Sequence, residues 1–232
     1  MAISFLTKQK NVNMVLELID VFANPYNGVA SHFDGANYVL TPGANLSGIN
    51  IHTTEEMQKQ RTQPNWMASA SIGKIPSLET YQKKYAKCNK ALVDADIKKL
   101  NITMTPNQFL YHGGVLNVNN TVNSVVLTAP LSTTFHPDIA LNEATYKGKA
   151  YRSNALHINV IKVINPNVKV YPFRPGSKMG HEGEVLFEAG ITLNKIKDTI
   201  VNPNYDVADY DLNTRSELRK KVEAHIVEWE IV

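Results

Sequence analysis

Cysteine is almost absent from this sequence: Cys88 is the only one in 232 residues. No intramolecular disulfide can form, so the fold must stand on packing, which suits a reducing compartment and points to the cytoplasm. Long apolar runs are absent as well. The opening Met1-Ala-Ile-Ser-Phe-Leu-Thr-Lys-Gln-Lys has a short apolar stretch before Lys8 and Lys10, with neither signal-peptide order nor a membrane span. Neither sign of charge dominates: 24 basic against 21 acidic residues leave +3, too little by itself to argue for a nucleic-acid or membrane-surface binder. No Rossmann fingerprint, P-loop or Gly-x-Ser-x-Gly elbow occurs. The histidines at 32, 52, 112, 136, 157, 181 and 225 form no i, i+4 pair and no cysteine pair accompanies them, so no metal site is expected.

With 43% hydrophobic and 19% charged residues, the chain can bury a core as one large domain or two closely packed ones. The first hundred residues read as mostly helical and the rest as strand and turn, which favours α+β over alternating βαβ units. Val12, Val15, Leu16, Ile19 and Phe22 fall at helical spacing, and Asn24-Pro25-Tyr26-Asn27-Gly28 ends that run. Residues 30–74 are polar, with a short strand at Tyr38 to Leu40 and a short helix after Thr54. A clearer helix opens at Pro76, capped by Ser77, with Leu78, Tyr81, Tyr85, Cys88, Leu92 and Ala95 on one face. Lys83, Lys84, Lys87 and Lys90 lie opposite and read as a solvated face rather than a phosphate patch.

After Pro106 the period shortens toward two. Gln108–Tyr111, Ser124–Leu127, Leu156–Ile164, Val168–Phe173, Glu184–Phe187, Ile191–Ile196 and Val222–Ile231 read as strands of a sandwich or a pair of packed sheets. The polar stretch Thr199–Arg219 reads as a long surface excursion.

Three motifs sit at strand ends. Phe109-Leu110-Tyr111-His112-Gly113-Gly114 ends a strand in an imidazole and two glycines that admit close approach of a ligand or a backbone. Taken alone, His112 is an ordinary polar strand end. Leu131-Ser132-Thr133-Thr134-Phe135 puts three hydroxyls before a helix with a first-turn proline, and β-propensity with capping explains them equally well. Gly180-His181-Glu182-Gly183-Glu184-Val185-Leu186-Phe187 brings two carboxylates to one face of an apolar strand, which suits division into two catalytic roles. A solvated acidic turn is the plain alternative.

Together and in this order, the motifs resemble the mono-ADP-ribosyltransferases with the Arg-Ser-Glu signature, a family of bacterial toxins and tailed-phage enzymes that modify host proteins. Leu110-Tyr111-His112-Gly113 matches the family's aromatic-Arg-Gly strand, Leu131-Ser132-Thr133-Thr134 its Ser-Thr-Ser strand, and Glu182-Gly183-Glu184-Val185-Leu186 its Glu-x-Glu turn. The resemblance spans residues 77–200, with separations of 20 residues from His112 to Ser132 and 52 from Ser132 to Glu184. It implies a pair of packed, mostly antiparallel sheets (106–232, the catalytic core) with an N-terminal helical part (1–105) against them. One departure stands out: His112 occupies the arginine position, as in the diphtheria-toxin-like branch. A neutral histidine offers one donor and one acceptor instead of a charged fork, which leaves Arg152 or a lysine to meet the dinucleotide's charge.

The resemblance implies NAD as substrate, no metal, and transfer of ADP-ribose to a host protein's arginine in the cytoplasm. Glu184 would stabilise the oxocarbenium-like transition state, Ser132 would orient Glu184, and Glu182 would receive the guanidinium. His112, Tyr111, Gly113, Thr133 and Phe135 are the candidate dinucleotide contacts. Phe135, Tyr146 or Tyr151 would stack on nicotinamide unless each packs in the core. The other readings are an NAD glycohydrolase and a non-catalytic nucleotide- or partner-binding descendant. A nucleic-acid acceptor is also compatible with the broad fold and would need a basic groove.

Overall fold

The computed structural model describes residues 13–116, 123–174 and 182–232; part of the first motif's downstream loop, together with Gly180 and His181, lies outside them. In chain order the elements are β1 (Met14–Leu16), α1 (His32–Leu40), α2 (Leu46–Gln60), α3 (Pro64–Ala70), α4 (Pro76–Lys83), α5 (Lys90–Leu100) and β2 (Ile102–Met104). Then come β3 (Phe109–Gly113), β4 (Ser124–Val126), β5 (Leu131–Thr134), α6 (Pro137–Thr145), α7 (Lys149–Ser153) and β6 (Ala155–Val163). The chain closes with β7 (Val170–Pro172), β8 (Glu184–Phe187), β9 (Thr192–Asp211) and β10 (Ser216–Ile231). Among the described residues, no helix is long and apolar enough to cross a membrane.

All seven segments read as strands from period two are strands, and the α+β class holds. Together with β5 they form one mixed eight-stranded sheet in the order β4-β9-β10-β6-β3-β5-β8-β7, antiparallel except where β10 runs parallel to β6. The expected pair of sheets survives as two wings. Five strands end at β3, three begin at β5, and a single register pair, Tyr111 with Thr134, joins them. The stretch 199–219, expected as an irregular excursion, instead continues β9 and β10 as a long, mostly exposed hairpin. Asn202-Pro203-Asn204 fits there because the register shifts between Val222 and Ala224, so the proline's missing N–H meets a bulge.

On β3, Tyr111 and Gly113 face the helices, and α6 lies directly on the strand. A Cβ at Gly113 would come within 1.8 Å of the Ala140 carbonyl oxygen, so only glycine permits this approach. Val185 and Phe187 of β8 point into the same main core. Leu186 points the other way, into a second cluster with Leu78 and Tyr81 of α4 and Val93 and Ile97 of α5.

The N-terminal half departs from its periodicity in three places. Residues 14–22, expected as a helix from Val12, form β1 and then an extended path through the core. Their backbone groups are met by distant side chains: Ile19 N–H and C=O pair with the Gln108 amide at 2.9 and 2.7 Å, and Gln60 does the same for Asp20. Helical spacing in the sequence therefore marks which residues are buried, while the hydrogen bonds decide the conformation. Tyr38 to Leu40, expected as a strand, ends α1, which starts at a reciprocal cap between Ser31 and Asp34. The long helix expected from Ser77 to Ala95 is two helices broken at Lys84. One straight rod could not bring Leu78 and Ile97 together onto Tyr171 and Phe173, whereas a bent pair does. Ser77 accordingly bonds Asp96 of α5 at 2.5 Å rather than capping its own helix.

Gln108→Leu should leave both backbone groups of buried Ile19 unpaired and lower stability by about 3 kcal/mol. In urea unfolding the midpoint should fall with the slope unchanged.

Candidate active site

Register decides which side chains meet. Thr134 lies opposite Glu184 and Ser132 opposite Leu186, so all four share the face that α4 and α5 cover. Ser132 sits diagonally across from Glu184, and its Oγ donates to Oε1 at 2.5 Å. Glu184 is only 6% exposed, and its other oxygen, Oε2, is buried without a partner. Burial pushes this carboxyl up to about 7; the Ser132 bond opposes that shift, while Glu182 and Glu143 of α6 add to it.

Thr134 completes the clamp. Its Oγ1 donates to the Glu182 carbonyl and accepts from the His136 N–H at 3.0 Å. Between the two carboxylates Gly183 has φ +59, and a Cβ there would meet the Met57 sulfur at 2.9 Å and the His136 ring at 3.0 Å. The tight turn thus fixes Glu182 relative to Glu184. Thr133, which alternation turns to the opposite face, donates to the Val185 carbonyl at 2.8 Å and ties β5 to β8.

His112 spans the parting between the wings: its Nδ1 lies 2.8 Å from the Ser132 carbonyl oxygen. A carbonyl only accepts, so Nδ1 carries the proton. Burial lowers the imidazole's pKa, and Lys149 reinforces the effect. The ring is therefore neutral, with Nε2 left as an acceptor. Asn159 on β6 holds this strand end by donating to the carbonyls of His112 and Gly114, and it accepts from the Trp229 indole. Nothing in the sequence pattern marks Asn159, nor Glu143.

The other candidate contacts are placed differently. The Tyr111 ring enters the core and its hydroxyl donates to the His32 carbonyl at 2.9 Å. Gly113 serves the packing of α6. Phe135 is fully buried, edge-on to Trp66 at 5.9 Å, so its part is core packing and not stacking on a ligand.

Glu184, Glu182, Ser132 and His112 line a cleft of about 1030 Å³ between α4 and the segment from α6 to α7. Lys83, Lys84 and Lys87, expected on a solvated face, line one lip because the helix breaks at Lys84; Lys147, Lys149 and Arg152 line the other. Arg152 is committed to Asp209 at 2.5 Å, and Lys149 to Glu143 at 3.1 Å.

No family model matches the sequence, and no curated protein matches it. Among solved structures, the chain is similar in fold to the ADP-ribosyltransferase Vis of Vibrio splendidus, with 12% identity, 87% of this chain and 90% of that one covered, and a TM-score of 0.47. It is also similar to Plx2a, an ADP-ribosyltransferase toxin from Paenibacillus larvae (11% identity, 77% and 96% covered, TM-score 0.44). A third is the Clostridium limosum C3 exoenzyme (16% identity, 71% and 88% covered, TM-score 0.39).

The raised Glu184 pKa has a consequence for stability. An ordinary glutamate titrates near 4.5, so between that pH and about 7 the folded chain keeps a proton that the unfolded chain has released. The contribution is full below about 4.5 and is lost as pH rises through 7. Relative to Glu184→Gln, the wild type should lose about 3 kcal/mol across that window. Urea midpoints of both proteins over the pH range would show it; parallel curves would contradict the burial of this carboxyl.

Proposed function

We propose that this protein breaks the bond between nicotinamide and ribose in NAD and transfers ADP-ribose to an arginine side chain of an acceptor protein. One observation carries the reading. At the floor of a dinucleotide-sized cleft sits a buried carboxylate with one oxygen fixed by a serine and the other facing no protein partner. A buried acceptor without a donor is unfavourable unless a ligand supplies one, and a ribose hydroxyl would do so. This feature also weighs against a descendant that has lost catalysis.

As the glycosidic carbon–nitrogen bond breaks, the electron pair leaves with nicotinamide and positive charge develops on the ribose. Ionised Glu184 opposes that charge at the moment it appears, in a site from which α4 excludes water. Ser132 holds Oε1 and so aims the carboxylate. The acceptor nitrogen attacks the anomeric carbon, and Glu182 pairs with the guanidinium and takes its proton. His112 contributes an acceptor, through Nε2, to a ribose hydroxyl or the carboxamide N–H. In this reading the catalytic groups belong to the core, 106–232, and the described residues of the N-terminal part, 13–105, supply the helices that cover them.

Purified protein incubated with NAD and a cell lysate should release nicotinamide and tag arginine peptides. Glu184→Gln should lower nicotinamide release about a hundredfold or more; an unchanged rate would sink the assignment. Glu182→Gln should spare NAD hydrolysis more than transfer. Release without tagged peptides would instead identify a glycohydrolase.

The rate should rise with pH around a midpoint near 7, as Glu184 ionises. Ser132→Ala should slow the reaction about tenfold and move that midpoint upward, because the bond that favours the ionised form is gone. A slower reaction with an unmoved midpoint would reduce Ser132 to packing.

A further inference from the structure

More cations than carboxylates line the cleft, six cationic side chains against Glu143, Glu182 and Glu184. Three of the six are paired, Lys83 with Glu79, Lys149 with Glu143 and Arg152 with Asp209. Lys84, Lys87 and Lys147 take part in no ion pair among the described residues.

Each lip also presents a tyrosine among its cations. Tyr85 is 54% exposed on the turn after α4; its ring leans edge-on against Tyr81 at 5.1 Å, and the Lys90 ammonium lies 5.1 Å from it. Across the cleft Tyr146 is 53% exposed, with the Lys147 and Lys149 ammonium groups at 5.2 and 5.9 Å. The second lip is held in place. Lys147 has φ 50, a conformation few residues other than glycine adopt, and its carbonyl accepts from Arg152, which Asp209 of β9 anchors. A cationic groove with exposed rings on both sides fits a polyanion whose units carry flat faces: phosphates meet the lysines and bases stack on the rings.

We propose that the mouth of the cleft, between Tyr85 with Lys84 and Lys87 and Tyr146 with Lys147, binds single-stranded nucleic acid. The site lies outside the Glu184 machinery and goes beyond the reaction assigned to it. A strand held there crosses the entrance to Glu182, so the acceptor reaches the carboxylates as part of a nucleic-acid-bearing complex.

The test is fluorescence anisotropy with a labelled twelve-nucleotide oligouridylate. Binding should be micromolar at 50 mM salt and weaken steeply at 200 mM. Tyr85→Ala and Tyr146→Ala should each weaken it about tenfold, with Tyr85→Phe retaining affinity. Lys84→Gln combined with Lys87→Gln should reduce the salt slope by about 1.4. Nicotinamide release by Tyr85→Ala without the oligonucleotide should match wild type. Absence of binding at 50 mM salt, or binding that both tyrosine variants leave intact, would overturn the proposal. Glu184→Gln keeps the two ideas separate: it should bind the strand normally while releasing nicotinamide about a hundredfold more slowly, or slower still. Wild-type turnover without strand binding defeats only this proposal, and strand binding without turnover defeats only the reaction.

Discussion

The sheet nearly parts between β3 and β5, and the site exists because it does. A single backbone pair, Tyr111 with Thr134, crosses that joint, and the His112 imidazole adds one bond to the Ser132 carbonyl. Full pairing would have filled the gap with main chain. Instead the two wings diverge, the hydroxyls of β5 and the carboxylates at the start of β8 stand at the edge of the opening, and α4 closes over them. Burial raises the pKa of the Glu184 carboxyl and leaves its Oε2 without a protein partner.

What the sequence disclosed and what it hid follow one rule: local pattern is legible where the structure's own hydrogen bonds are local or periodic. The strands from β3 onward were readable as short β-branched and aromatic segments set off by turn residues, except for the polar distal halves of β9 and β10. Glu182 and Glu184 were readable as neighbours, although Glu182 precedes β8 and the Gly183 turn, not strand alternation, sets its position; Ser132 was readable because the register that sets it diagonal to Glu184 follows from two short, matched strands. Residues 14–22 were not readable, since Gln108, Gln60 and Trp66 satisfy their main chain from 40 to 90 residues away. The break at Lys84 was hidden for a related reason. The helical spacing runs on unbroken through it, and only the shared partners Tyr171 and Phe173 require α4 and α5 to fold back on each other. Phe135 is buried beside Trp66, and Thr133, in the cleft wall, ties β5 to the Val185 carbonyl, so each position is fixed by the neighbours it supports.

The histidine at 112 and the high pKa of Glu184 belong together. An arginine at 112 would place a permanent positive charge one residue from the Ser132–Glu184 pair and draw the carboxyl toward its ionised form. A neutral imidazole does not, and burial, reinforced by Lys149, lowers the imidazole's pKa. The cations of the cleft line its lips, Lys83, Lys84 and Lys87 on one side and Lys147, Lys149 and Arg152 on the other, while Glu184 lies buried on the floor. A carboxylate that ionises on the low-dielectric floor acts more strongly on a nearby developing positive charge than the same group would in water.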